Sequence, residues 1–125
     1  MAREKILIVD DDRDLLNGLN VRLKANGYNV FFATDAASAV AMARKERPDV
    51  IILDIGLPGG DGFMVMERLR ALELTAPIPI IILTAKDPST NRERALKAGA
   101  KAFFTKPAKN EELLTAIRKA VGEPI

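Results

Sequence analysis

Six residues of this chain suit phosphoryl groups or hard cations, and each lies where an apolar run stops. Asp10, Asp11 and Asp12 follow Ile6-Leu7-Ile8-Val9, and Asp54 follows Val50-Ile51-Ile52-Leu53. Thr84 closes Ile80-Ile81-Ile82-Leu83, and Lys106 follows the stretch from Lys101 to Thr105. Short apolar runs of this kind read as buried strands of a parallel sheet. Their carboxyl ends share one edge, and that edge is where open α/β sheets bind ligands. Carboxylates crowded there raise one another's pKa, and a divalent cation removes the penalty. Mg²⁺ keeps several waters, so two carboxylates and a backbone carbonyl suffice to hold it. A Thr hydroxyl and a Lys ammonium complete a cage for phosphoryl oxygens. Asp54 is the natural nucleophile, because a carboxylate can take phosphoryl as an acyl phosphate. Such a transfer rests on positioning and charge neutralisation and needs no general base.

Composition narrows the chemistry further. The chain has no Cys, which excludes disulfides and thiolate metal sites, and no His, which excludes imidazole catalysis. Any metal is therefore a hard, oxygen-seeking one. With 125 residues the chain is long enough for one domain with a real core, and residues 1–125 are expected to form a single unit. Lys and Arg number 19 against 17 acids, and the basic residues are scattered without interleaved aromatics. Direct nucleic-acid binding is not expected. The charged opening Met1-Ala2-Arg3-Glu4-Lys5 is neither a signal peptide nor a membrane span, which points to a cytoplasmic protein.

The elements that must position these residues alternate strand and helix five times, with no long linker. After the first strand a helix is predicted from Arg13 to Asn26, with Leu15, Leu16, Leu19 and Leu23 as its apolar stripe and Gly27 closing it. A strand over Asn29 to Phe32 precedes a helix capped by Asp35 and running through Glu46, after which Pro48 bars continuation. Beyond Asp54, Gly56-Leu57-Pro58-Gly59-Gly60-Asp61-Gly62 is turn chemistry, and a helix from Phe63 to Leu72 follows. Asp87-Pro88 is an N-cap with Pro at the first helical position, and that helix stops at Gly99. Asn110 is expected to cap a closing helix that carries Leu113, Leu114, Ile117 and Val121 on one face. Right-handed crossovers leave helices on both faces of the sheet.

Taken together in this order, the strand ends resemble the receiver domain of bacterial two-component response regulators. The resemblance spans essentially the whole chain. It rests on Ile6 to Asp12, Asp54 with Leu57-Pro58 and Asp61-Gly62, Thr84-Ala85, Ala98-Gly99-Ala100 and Lys106-Pro107. It implies a flavodoxin-like (βα)5 sandwich of strand order 2-1-3-4-5. It implies Asp54 as phosphoacceptor and Asp11 and Asp54 as direct Mg²⁺ ligands, with Asp10 acting largely through water and Gly56 through its carbonyl. Mn²⁺ could substitute. Thr84 and Lys106 would hold phosphoryl oxygens, helped by the amides of Gly56 and Ala85, and Lys106-Pro107 would be cis. The donor would be a sensor histidine kinase or a phosphotransfer protein.

The same resemblance implies a signalling switch rather than a turnover enzyme, with slow loss of its own phosphoryl group. Thr84 would turn inward on phosphorylation and Phe103 would change rotamer. The surface of the fourth helix, fifth strand and fifth helix would then change partners: a downstream protein, a trimmed effector domain, or a second copy of the chain. With only Gly122-Glu123-Pro124-Ile125 left after the last helix, no effector domain is expected within these residues. Phe103 lacks the hydroxyl of the Tyr often found there, and Ala108 stands where an aromatic is common. Gly56 and Lys86 flank the water's approach to the acyl phosphate.

Each residue also has a plainer role when taken alone. Asp12 reads as a helix cap, Asp35 and Asn110 as caps only, and one of Phe103 and Phe104 as core. Thr84 alone reads as a strand-end hydroxyl and Lys106 alone as a surface charge. Two other functions share parts of the pattern. A phosphorylation-independent interaction module would not need Asp10, Asp11, Asp54, Thr84 and Lys106 together. A haloacid-dehalogenase-like phosphatase wants a second Asp two residues after the nucleophile, where this chain has Gly56.

Overall fold

The computed structural model describes residues 3–57 and 62–122. The strands are β1 (Lys5–Val9), β2 (Asn29–Ala33), β3 (Val50–Leu53), β4 (Ile80–Thr84) and β5 (Ala102–Thr105). They alternate with α1 (Arg13–Ala25), α2 (Ala36–Glu46), α3 (Gly62–Ala71), α4 (Pro88–Lys97) and α5 (Asn110–Ala120). All pairings are parallel and the order is β2-β1-β3-β4-β5, the flavodoxin-like arrangement. Ile8, Ile52 and Ile81 sit side by side across the three central strands.

The two faces of the sheet carry separate cores, because successive side chains of a strand point to opposite sides. One core joins Leu7, Ile51, Leu53, Ile82 and Phe103 to α2, α3 and Ala95 of α4. The other joins Ile6, Ile8, Ile52, Ile81 and Leu83 to Leu16, Leu19 and Leu23 of α1 and Leu113 and Ile117 of α5. Every residue of β3 and β4 is buried, as a strand covered by helices on both faces requires.

Among the described helix starts, those of α1, α2 and α4 follow local chemistry and that of α5 does not. Asp12 accepts from the amides of Asp14 and Leu15, Asp35 from that of Ser38, and Asp87 from that of Ser89. Gly27 takes φ +87° beyond α1, and its amide closes on the Lys24 carbonyl. Asn110, expected as a cap, is instead the first residue of α5. Lys109 takes the cap position, without a side-chain bond. Glu111 and Glu112 occupy that first turn, and their charge opposes the positive helix end where a cap bond is missing. The turn residues Pro58 to Asp61 lie outside the described residues.

Candidate functional site

The site lies on the carboxyl edge of the sheet, where β1, β3, β4 and β5 end side by side. Asp10, Asp54 and Lys106 each stand one residue past a strand, and Thr84 is the last residue of β4. Asp54 is anchored on both sides: its amide donates to the Val9 carbonyl at 2.9 Å, and the Gly62 amide donates to the neighbouring Ile55 carbonyl at 3.1 Å.

Donors surround the Asp54 carboxylate. Oδ1 accepts the Thr84 hydroxyl at 2.6 Å and the Gly56 amide at 2.9 Å. Oδ2 accepts from Lys106 Nζ at 3.2 Å. The same ammonium stands 2.8 Å from Asp10 Oδ2, so one cation bridges two buried carboxylates. Asp10 Oδ1 accepts the Asp12 amide at 2.9 Å. Thr84 Oγ1 in turn accepts the Lys86 amide at 3.2 Å, which fixes the direction of its own hydrogen towards Asp54.

The electrostatics are unbalanced. Burial pushes the Asp10 carboxyl above its ordinary value, outweighing its bonds to Lys106 and the Asp12 amide; Asp54 adds to the rise. Burial draws the Lys106 ammonium down, but its bond to Asp10 and the charges of Asp10 and Asp54 outweigh this and leave it raised. Asp10, Asp11 and Asp54 each present a carboxylate oxygen within 4.8 Å of the others. Asp11 is exposed while Asp10 and Asp54 are buried, so the cluster opens to solvent on one side. An all-oxygen set of this kind suits a hard divalent cation.

The structure thus gathers Asp10, Asp11, Asp54, Thr84, Lys106 and Gly56 at one rim. The Asp12 amide bonds Asp10, but its carboxylate caps α1. Ala85 follows Thr84 at the rim and is exposed, while Phe103 is buried within β5. The Lys106-Pro107 bond is cis.

Two contributors had no distinct signal in the sequence. A Cβ at Gly62 would lie 2.6 Å from Ile55 Cα and 2.8 Å from the Asp54 carbonyl oxygen, so glycine lets α3 start against the loop that carries Asp54. The Asp-Gly pair pointed to a turn, not to this close approach. Arg94 lies with its guanidinium carbon 3.7 Å from the centroid of the Phe63 ring, tying α4 to α3 beside the site. Only the packing of two helices could bring those residues together.

Comparison with known proteins agrees with this geometry. A family model described as the response regulator receiver domain matches residues 6–118. Among solved structures, the chain is similar to a candidate response regulator of Chloroflexus aurantiacus, at 32% identity over 98% of this chain and 100% of that one, with TM-score 0.91. It is similar at 34% identity to the receiver domain of a Pseudomonas aeruginosa sensor histidine kinase, over 98% of this chain and 100% of that one, with TM-score 0.88. That relative holds a magnesium ion coordinated in its active-site cleft. A receiver domain protein of Methanospirillum hungatei shares 30% identity over 97% of this chain and 95% of that one, with TM-score 0.89.

Proposed function

This chain belongs to the response regulator receiver domain family, and from that premise we propose that Asp54 accepts a phosphoryl group from a sensor histidine kinase or a phosphotransfer protein. The observation that carries this reading is the ring of donors on one carboxylate: Thr84 and the Gly56 amide on Oδ1, Lys106 on Oδ2. Once a phosphoryl group is bound to Asp54, the same hydroxyl, amide and ammonium are within reach of its oxygens, with the Ala85 amide beside them. The protein's part is to hold the acceptor and to neutralise charge.

Asp11, Asp54 and the Gly56 carbonyl would hold Mg²⁺ or Mn²⁺ directly, and Asp10 through water. The carboxylate oxygens within 4.8 Å of one another support this, as does the burial of Asp10, which its bonds to Lys106 and the Asp12 amide only partly offset. When bound, the cation supplies positive charge that lets the carboxylates and an incoming phosphoryl group share the cleft.

The switch is a choice between settings of Thr84 and Phe103. Here Thr84 already donates to Asp54 and Phe103 already lies buried. Phosphorylation selects this inward setting by giving Thr84 a stronger acceptor, and the surface of α4, β5 and α5 passes the state to a downstream protein, a joined effector domain or a second copy. The domain is a switch, not a turnover enzyme, and loses its phosphoryl group slowly by itself. No helix among the described residues is long and apolar enough to cross a membrane.

Acetyl phosphate with Mg²⁺ should add one phosphoryl group to the wild type and none to Asp54→Asn, read by intact mass. Equal labelling of the Asn variant would place the acceptor elsewhere. Mg²⁺ alone should raise the wild-type melting temperature and leave Asp11→Asn much less changed, because a ligand of the folded state must stabilise it.

A further inference from the structure

We propose that the cleft beside Asp54, between the end of β3 and α4, is a leaving-group site selecting phosphodonors whose acyl part is apolar and carries a second carboxylate. This rests on the reading of Asp54 as phosphoacceptor and adds a substrate preference to it. The cleft has a volume of about 370 Å³. Ile55, Leu57 and Phe63 give it an apolar wall, and Lys86, Asn91 and Arg94 a polar one that carries two cations. A methyl group would fill little of that space, whereas an aromatic ring would cover the apolar wall.

The cations are what sets this cleft apart. Lys106, a short way along the rim, is paired with two carboxylates. Lys86 and Arg94 form no ion pair among the described residues. Arg94 is held against the Phe63 ring, which orders its planar fork for a carboxylate without using its N–H groups.

The cleft and the site share residues. Gly56 lines the cleft while its amide bonds Asp54 Oδ1. Lys86 lines it while its amide bonds Thr84 Oγ1. In-line transfer puts the leaving group on the side of phosphorus away from the Asp54 oxygen. A donor seated on these residues would direct its acyl part along the rim where Gly56 and Lys86 stand. An Asp54 oxygen forms the new bond to phosphorus as the bond from phosphorus to the acyl oxygen breaks. The bonding pair leaves with that oxygen as a carboxylate, and no proton moves.

Benzoyl phosphate and 4-carboxybenzoyl phosphate offer the same ring without and with the second charge. With Mg²⁺, wild-type protein should gain phosphoryl about fivefold faster from the carboxylated donor, the scale of one partly exposed ion pair. The ratio should approach one in Arg94→Gln and in Lys86→Gln, and should shrink for the wild type in high salt. Complete labelling of each variant by acetyl phosphate would show that it folds and that Asp54 works. A wild-type ratio near one, or a ratio unchanged in both variants, would overturn the assignment. Failure of all three donors to label Asp54 would bring down the phosphoacceptor reading and this one with it.

Discussion

Ile52 and Asp54 lie two residues apart at the centre of the sheet, and folding treats them in opposite ways. Ile52 is buried between Ile8 and Ile81, apolar among apolar neighbours. Asp54 is also buried, yet it is an acid, with a second buried acid, Asp10, reaching the same Lys106. Inside the sheet, propensity, pattern and burial all agree. At the rim they conflict, and the conflict supplies the chemistry. Substitutions at the two places should therefore move stability in opposite directions.

The largest effect is expected inside. Ile52→Ala should cost about 2–5 kcal/mol in urea unfolding, the usual range for a buried Ile truncated to Ala. Its folded fraction should still be labelled on Asp54 by acetyl phosphate. A loss of labelling in fully folded protein would show that interior and rim are less separate than they look.

Gly62→Ala tests the boundary between the two. The added Cβ would meet backbone atoms of Ile55 and Asp54, which cannot rotate away. A destabilisation of about 1–3 kcal/mol is expected, as for other overpacked positions. Because the displaced backbone carries Asp54, the labelling rate should fall as well. Unchanged stability and rate would mean that α3 can retreat freely.

Asp10→Asn should reverse the sign. Without Mg²⁺ it should raise stability by about 1 kcal/mol, or roughly 4 °C in melting temperature for a domain of this size. The raised Asp10 pKa means that the folded state binds this proton more tightly than the unfolded chain does. Stability from Asp10 is thus greatest below the ordinary value of 3.8 and is lost as pH rises through the raised one. The advantage of the Asn variant should be full at neutral pH and shrink on acidification through that window. An advantage that grew towards acid pH would contradict the burial argument.

Much of this architecture was legible in the residues. The β-branched runs of β3 and β4 have no polar alternation, so they had to be covered on both faces. Asp12, Asp35 and Asp87 marked three helix starts because a short carboxylate can accept first-turn amides. Asn110 misled, since an acidic first turn can begin a helix without a cap bond. The attachment of α4 was not legible either. Ala95 is its one buried residue, and it is tied down by Arg92 on the Phe103 carbonyl, by Arg70 on the Ala98 carbonyl and by Arg94 on Phe63. Those contacts have no periodicity to read.

By itself, the sequence determined the kinds of element, their order, and which residue types stand where each strand stops, because local patterns of burial and capping need only near neighbours. Tertiary structure alone decided that Lys106 reaches both Asp10 and Asp54, that the Thr84 hydroxyl turns to Asp54, and that Arg94 meets Phe63. Such contacts depend on where whole strands and helices come to rest, and no local pattern carries that information.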